Sequence, residues 1–320
     1  MRRAGLATVG LGVLAAILAP GLTPHGANDR FADRAFAPPM PIHVVADDGS
    51  WRAPFVYPVR LADRLERRYE EDRAHPATLA WFSRGVLVQQ ADESAGPWLP
   101  LGGDGSGRDV FARLVRGARV SLAVAILSTL GALLIGTIVG GIAGAAGGAI
   151  DEGLMRLSEF VLVLPAMYVV LSLRAAMPLV LPASRVFVLV AGILALVGWP
   201  IVARGVRAIV AVERERDYAL AARALGAGRA RLLVRHLLPA AHGFIATQAT
   251  LLLAAFILAE ATLSYVGLGF PDSTVSWGVM LQEAANVSAL SDAPWMLAPA
   301  AAIFLVVLGV NLVVQDRPPE

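Results

Sequence analysis

Residues 220–239 read LAARALGAGRARLLVRHLLP, and they interrupt a chain that is otherwise strongly apolar. The stretch is rich in arginine and alanine, and the Gly-Ala-Gly sequence at its centre favours a turn over a membrane-crossing helix. Long apolar runs flank it on both sides. We therefore expect this stretch to lie at a membrane surface, where its binding partner largely determines what the protein does.

The composition is that of a membrane protein. Hydrophobic residues make up 57% of the chain, and the mean hydropathy is +0.64, which is above the range of soluble domains. The absence of cysteine excludes thiolate catalysis and cysteine-ligated metal sites. A formal net charge of +2 is too small to indicate nucleic-acid binding. The predicted fold class is an all-α polytopic membrane protein.

Six windows approach the roughly 20 apolar residues that cross a hydrocarbon core. They are residues 5–22, 120–148, 160–181, 186–202, 244–270 and 296–314. The first window predicts an N-terminal transmembrane helix within residues 1–22. Two arginines before a short apolar run also fit a cleaved signal peptide, which is the alternative for this window.

A polar segment, residues 23–100, separates the first two windows and is predicted to be an extracytoplasmic insert. It contains the charge-dense run RLADRLERRYEEDR at residues 60–73. The spacing of opposite charges in this run favours a short, solvated helix with ion pairs between residues four apart.

The arginine distribution predicts the orientation, because short cytoplasmic loops of membrane proteins are enriched in positive charge. Six spans that begin after Arg2 and Arg3 place both termini in the cytoplasm, with a tail at residues 316–320. The loop at about 205–240 then also lies inside, and eight arginines fall between residues 204 and 235. Three arginines, at 113, 116 and 119, lie on the outer side, contrary to the rule.

The inside loop is predicted to be a helix over residues 207–225, a glycine break at 226–228, and a second basic helix over 229–238 that Pro239 ends. One interpretation is an amphipathic stretch resting on anionic lipid. The small residues Ala221 and Ala222 favour the other, a helix inserted into a protein cleft. Both interpretations stay open on these residues alone.

The spacing of Ala221, Ala222, Gly226, Leu238 and Pro239 resembles the cytoplasmic coupling loop of permease subunits in binding-protein-dependent ABC importers. The longer string DYALAARALGAGRARLLVRHLLP is similar to the dipeptide, oligopeptide and nickel branch. GGDGSGRDVFARLVRGARVSL at 102–122 and LAEATLSYVGLGFPDSTVSWGVML at 258–281 resemble the same branch. The resemblance covers residues 101–315.

The resemblance implies a type I ABC importer permease fold in the bacterial cytoplasmic membrane, with a cytoplasmic helix-turn-helix coupling loop. The implied partners are a second homologous permease, two ATP-binding subunits, an extracytoplasmic substrate-binding protein and membrane lipid. The implied substrate is a di- or oligopeptide, with a nickel complex as the alternative that no residue separates from it, and no cofactor is expected. Residues expected to contact an ATP-binding subunit are Asp217, Tyr218, Ala221, Ala222, Arg223, Leu225, Gly226 and Pro239. The chain has no GxxxxGK[ST] phosphate loop, so ATP hydrolysis is expected in separate subunits.

Three further sets of residues are candidate sites. Glu260 lies inside the fifth window, either as a pathway lining or in a structural hydrogen bond. The resemblance suggests a binding-protein contact at the segment holding Asp104, Gly107, Arg108 and Asp109, although Asp109 also fits a helix N-cap and no metal site is assigned there. Close helix packing is predicted for the glycines spaced four apart, namely Gly136, Gly140, Gly144 and Gly148.

Two other functional classes compete with an ABC permease. A secondary transporter would show an inverted repeat and paired interrupted spans, and neither is visible in the sequence. A polytopic membrane enzyme would need a nucleophile with a base, a carboxylate pair or a metal cluster, whereas the windows offer only Glu260 and a few hydroxyls.

Overall fold

The computed structural model describes residues 2–47, 49–64, 66–83, 85–92, 96–165, 168–169, 171–172, 182–285 and 291–315. The chain divides into two compact units. The insert unit comprises Ala7–Leu122 and Ala261–Val306. The coupling unit comprises Met1–Leu6, Ala123–Glu260 and Val307–Glu320.

Helices form most of the coupling unit and a smaller part of the insert unit. They are α1 (Arg2–Leu22), α2 (Val110–Ala146), α3 (Gly148–Val163), α4 (Ala183–Glu213), α5 (Asp217–Ala224), α6 (Arg229–Leu232), α7 (His242–Tyr265), α8 (Trp277–Glu283) and α9 (Ala298–Gln315). Among the described residues, five helical segments are long and apolar enough to cross a membrane: Arg3–Leu22, Val110–Ala146, Ala183–Glu213, Arg229–Tyr265 and Pro294–Val313. They correspond to five of the six predicted windows. The remaining window, 160–181, lies largely outside the described residues.

The length of α2 accommodates the three arginines that contradict the charge rule. This helix has 37 residues and is therefore about 55 Å long at 1.5 Å per residue, whereas a hydrocarbon core is about 30 Å thick. Arg113, Arg116 and Arg119 all lie in its first ten residues. The rest of α2 is long enough to cross the core without them.

Between α1 and α2 the chain forms β-structure, so the all-α prediction is wrong for this segment. The described part of this segment contains six strands: β1 (His43–Val45), β2 (Trp51–Val56), β3 (Val59–Asp63), β4 (Arg68–Glu71), β5 (Ala77–Ser83) and β6 (Val86–Gln90). A four-stranded antiparallel sheet has the order β1-β2-β5-β6, and β3 pairs with β4 as a separate hairpin. We call this β-structure the β-insert.

The predicted helix at 60–73 is also wrong, because these residues form the β3–β4 hairpin, in which Leu61 pairs with Tyr69. Burial alternates along β3, where Val59 is buried and Arg60 is exposed. That period of two is a strand pattern. The Tyr69 hydroxyl donates a hydrogen bond to the Ala35 carbonyl (2.7 Å), which ties the hairpin to the rest of the insert.

A hydrophobic core of its own stabilises the β-insert. Its buried members include Met40, Val56, Leu79 and Trp98. The Trp98 indole N–H donates a hydrogen bond to the buried Met40 carbonyl (3.1 Å), so this large side chain is buried with its polar group satisfied. The segment is therefore packed around a hydrophobic core and is not an irregular loop.

Within the coupling unit, three glycines of α2 allow α4 to pack at backbone distance. A Cβ built on Gly140 would lie 2.3 Å from the Ala203 carbonyl oxygen. A Cβ built on Gly136 would lie 2.7 Å from the Trp199 carbonyl oxygen. A Cβ on Gly144 would lie 2.7 Å from the Arg207 carbonyl oxygen. Gly148, predicted to belong to the same set, lies outside this contact, since it begins α3 and has nothing within 4 Å.

We expect Gly140→Ala to destabilise the purified chain by about 1–3 kcal/mol, the usual cost of overpacking, because the added methyl group meets the α4 backbone. Gly192→Ala is the matched control, since a Cβ at this helical glycine meets nothing within 4 Å. Thermal unfolding in detergent measures both variants. Equal melting temperatures for the two would contradict the packing shown by α2 and α4.

Candidate functional site

The loop that interrupts the apolar helices folds as a short helix followed by a turn. The single helix predicted for residues 207–225 is wrong: α4 ends at Glu213, the chain turns, and α5 begins at Asp217. The guanidinium of Arg214 donates to the Gly144 carbonyl (3.2 Å) at the end of α2. This contact with an otherwise unpaired helix-terminal carbonyl gives a physical reason for the turn.

Gly226 ends α5 in a Schellman motif, the standard glycine-terminated helix end. Its φ is +86°, which glycine adopts at little cost. The Gly226 N–H donates to the Arg223 carbonyl (2.9 Å), and the Ala227 N–H donates to the Ala222 carbonyl (3.0 Å). A Cβ built on Gly226 meets nothing within 4 Å, so the turn faces open space.

The exposed side of α5 and its turn forms a small apolar surface. Leu225 at the tip is 89% exposed, and Tyr218 and Leu220 are also exposed. Ala221 and Ala224 lie exposed between them. We call these five residues the coupling surface. Of the predicted contact residues, Asp217, Arg223 and Gly226 are exposed beside it, whereas Ala222 is half-buried.

Exposed arginines outnumber exposed acidic residues near this surface in the sequence. Arg223, Arg229, Arg231 and Arg235 are exposed, and among the described residues none of them forms an ion pair. An apolar centre with a basic rim is complementary to an apolar groove with an acidic rim.

Polar contacts fix the base of the loop. The Tyr218 hydroxyl donates to the Glu213 carboxylate (2.8 Å), and partial desolvation together with this hydrogen bond raises the pKa of Tyr218. Asp151 of α3 accepts two hydrogen bonds from Arg207 Nε (2.9 and 3.1 Å) and a third from its terminal nitrogen. These bonds lower the pKa of Asp151, so the pair stays ionised at neutral pH.

The chain returns from the coupling surface in continuous helical turns. α6 leads into a π turn (Leu233–Leu237), a 3-10 turn (Leu238–Ala241) and then α7. The prediction that Pro239 ends a helix is therefore wrong. Pro239 stands in the first turn of the 3-10 segment, where a missing N–H costs little.

A buried ion network lies in the insert unit. Arg108 and Arg113 both donate to Asp104 Oδ2 (2.7 and 2.9 Å), and both also donate to Glu283 Oε1 of α8 (2.9 and 2.8 Å). The Arg113 side chain is only 1% exposed. We call these four residues the ion network. Two cations and two carboxylates neutralise each other there, as buried charges require.

The residues predicted to touch a binding protein are buried, which contradicts that prediction. Asp104, Arg108 and Asp109 are buried in the insert unit, and so is Gly107. Asp109 instead accepts hydrogen bonds from the N–H groups of Phe111 and Ala112 (2.9 and 3.2 Å), which confirms it as the N-cap of α2. Of this glycine-rich turn, Gly105 and Ser106 remain exposed.

Glu260 in α7 is fully buried. A side chain that lines an aqueous pathway needs contact with solvent, which this conformation denies to Glu260. Its burial therefore favours the structural interpretation over the pathway lining.

The family model for "binding-protein-dependent transport system inner membrane component" matches residues 117–315. The chain belongs to this family. It is the permease subunit of an ATP-driven ABC importer and has the type I importer permease fold. A secondary transporter and a polytopic membrane enzyme are not favoured. The family is that of a multi-pass inner-membrane protein of bacteria, and membership implies ATP-binding and substrate-binding partners.

Relatives of known name agree with this assignment. The permease is 38% identical over 214 residues to a peptide permease protein of Brucella ovis, covering 67% of this chain and 69% of the relative. It is also 38% identical to the oligopeptide transport system permease protein OppC of Bacillus subtilis, covering 67% and 68%. A structure of the MetNI methionine ABC transporter aligns with a TM-score of 0.49 at 18% identity, covering 64% of the permease and 96% of that chain.

Proposed function

We propose that this permease forms half of the translocation pathway of a di- or oligopeptide importer, with a second, homologous permease as the other half. The family match over residues 117–315 carries the proposal. Relatives named for peptide and oligopeptide transport support the substrate class. An extracytoplasmic binding protein delivers the peptide, and two ATP-binding subunits drive the change between outward and inward access.

The coupling surface docks into a groove of one ATP-binding subunit. Its exposed alanines allow close backbone approach, and Leu225 at the tip supplies an apolar anchor. The four exposed arginines near it in the sequence favour an acidic rim on the partner. A helix that rests on lipid instead buries bulky apolar groups along its whole length, whereas the Asp217–Ala224 helix exposes only Tyr218 and Leu220 of that kind.

Movement of the ATP-binding subunits reaches the membrane helices through the base of the loop. Arg214 joins the loop to the end of α2, and Arg207 joins α4 to Asp151 of α3. A displacement of α5 therefore acts on three helices of the coupling unit through charge-assisted hydrogen bonds.

The orientation that suits this function places both termini and the coupling surface in the cytoplasm and the β-insert outside. The arginines support it, since eight of them lie between residues 204 and 235.

Purification of the tagged permease from its native membrane in mild detergent tests the proposal. We expect mass spectrometry to identify stoichiometric ATP-binding subunits and a second permease. Folded permease recovered alone under several mild conditions would contradict it. With the binding protein added to the reconstituted complex, we expect peptides to stimulate ATP hydrolysis, and stimulation by a nickel chelate alone would overturn the substrate class.

A further inference from the structure

One end of the four-stranded sheet in the β-insert carries exposed aromatic side chains. β2 begins at Trp51 and β5 ends at Ser83, and the two strands are antiparallel, so these ends meet. Trp51 is 82% exposed, Phe82 81% and Trp81 50%. We call these three residues the aromatic tip. Exposed aromatic clusters of this kind mark interaction surfaces.

Contact with α1 places the aromatic tip near the membrane boundary. A Cβ built on Gly21, in the last turn of α1, would lie 3.6 Å from the carbonyl oxygen of Gly85 in the β5–β6 turn. The apolar segment Arg3–Leu22 has 20 residues, about 30 Å of helix, which is the thickness of the hydrocarbon core. A helix of this length that crosses the core brings its last turn, and the hairpin turn beside it, to the level of the lipid headgroups.

The aromatic tip is close to that hairpin turn. Phe82 is three residues from Gly85, at most about 10 Å along the strand. Phe82 also has a φ of +51°, an unusual conformation for a bulky residue. Neighbouring residues of a strand normally point to opposite faces, yet Trp81 and Phe82 are both exposed. The structure thus presents both rings to the surroundings, within about 10 Å of the hairpin turn.

We propose that the aromatic tip inserts into the headgroup region of the membrane leaflet that borders the β-insert. Tryptophan suits this region because its ring is apolar and its N–H can bond to polar lipid groups, and aromatic residues are enriched there. The insertion gives the β-insert a second attachment to the membrane besides the α1 and α2 connections.

Single-cysteine labelling tests this proposal, because the permease contains no cysteine of its own. Phe82→Cys is introduced into the full chain, purified with its partner subunits, labelled with an environment-sensitive fluorophore, and reconstituted into phosphatidylethanolamine–phosphatidylglycerol vesicles. We expect blue-shifted emission, strong quenching by lipids that carry a nitroxide near the headgroup, and protection from aqueous iodide.

Thr78→Cys is the matched control, since Thr78 is exposed four residues earlier in the same strand. Its label is expected to show water-like emission and quenching by iodide. The unmodified complex, treated identically, gives the background from partner chains. A water-like, iodide-accessible label at position 82 would overturn the proposal. Protection from iodide without quenching by nitroxide lipid would also overturn it, because a protein would then cover the tip.

Discussion

Gly226→Asp is expected to abolish peptide transport and to prevent ATP-binding subunits from co-purifying, while the permease itself still accumulates in the membrane. The side chain has room in the isolated chain, because nothing lies within 4 Å of a Cβ at Gly226. Aspartate also tolerates the left-handed backbone better than most residues. The damage therefore arises at the docking interface, where an unpaired buried carboxylate costs about 2–5 kcal/mol, or more than tenfold in affinity.

Two control variants separate charge from backbone conformation. Gly226→Asn keeps a residue that accepts positive φ but adds no charge, so we expect most of the transport to survive. Gly228→Asp adds the same charge two residues away, at the N-cap of α6, where φ is −66° and aspartate is favourable. Transport uptake and co-purification measure all three variants. Intact docking and transport in Gly226→Asp would show that the turn does not enter a partner's groove.

Arg113→Met is expected to destabilise the permease by about 3–5 kcal/mol, because it leaves two carboxylates of the ion network with one arginine. The stability of Arg113→Lys should fall between that of the unchanged permease and that of Arg113→Met. Lysine retains the charge but loses the planar fork that reaches both Asp104 and Glu283. Unfolding of the purified chain in detergent, followed by circular dichroism, gives these differences.

The control for this series is Arg119→Met, the same substitution at an exposed arginine six residues further along α2. It should leave the unfolding midpoint nearly unchanged, as for most surface substitutions. If Arg113→Met unfolds at the same midpoint as Arg119→Met, the buried charges do not stabilise the insert unit.

The membrane helices and the glycine turn could be predicted from the sequence because their signals are local. An apolar run of about 20 residues usually forms a membrane-spanning helix. The Gly-Ala-Gly sequence favours the end of a helix whatever its surroundings. The end of α4 at Glu213 was not predictable in the same way. Residues 207–225 are good helix formers throughout, and the turn depends on the bond from Arg214 to α2, a tertiary contact.

The β-insert and the ion network were missed for different physical reasons. The strands are short, and charged residues obscure their alternation, so the charge spacing at 60–73 suggested a helix that does not form. Glu283 stands 170 residues from Arg113, and no local pattern joins them. The clue available in the sequence was the cluster of arginines on the side where the charge rule does not expect them.

The distance between the members of the ion network also sets an order of assembly during synthesis. Asp104, Arg108 and Arg113 leave the ribosome close together, with one positive charge in excess among them. Glu283 follows only after α7 has been made. Until then one arginine at the start of α2 lacks its second carboxylate partner, so the network can be completed only when the chain is nearly finished.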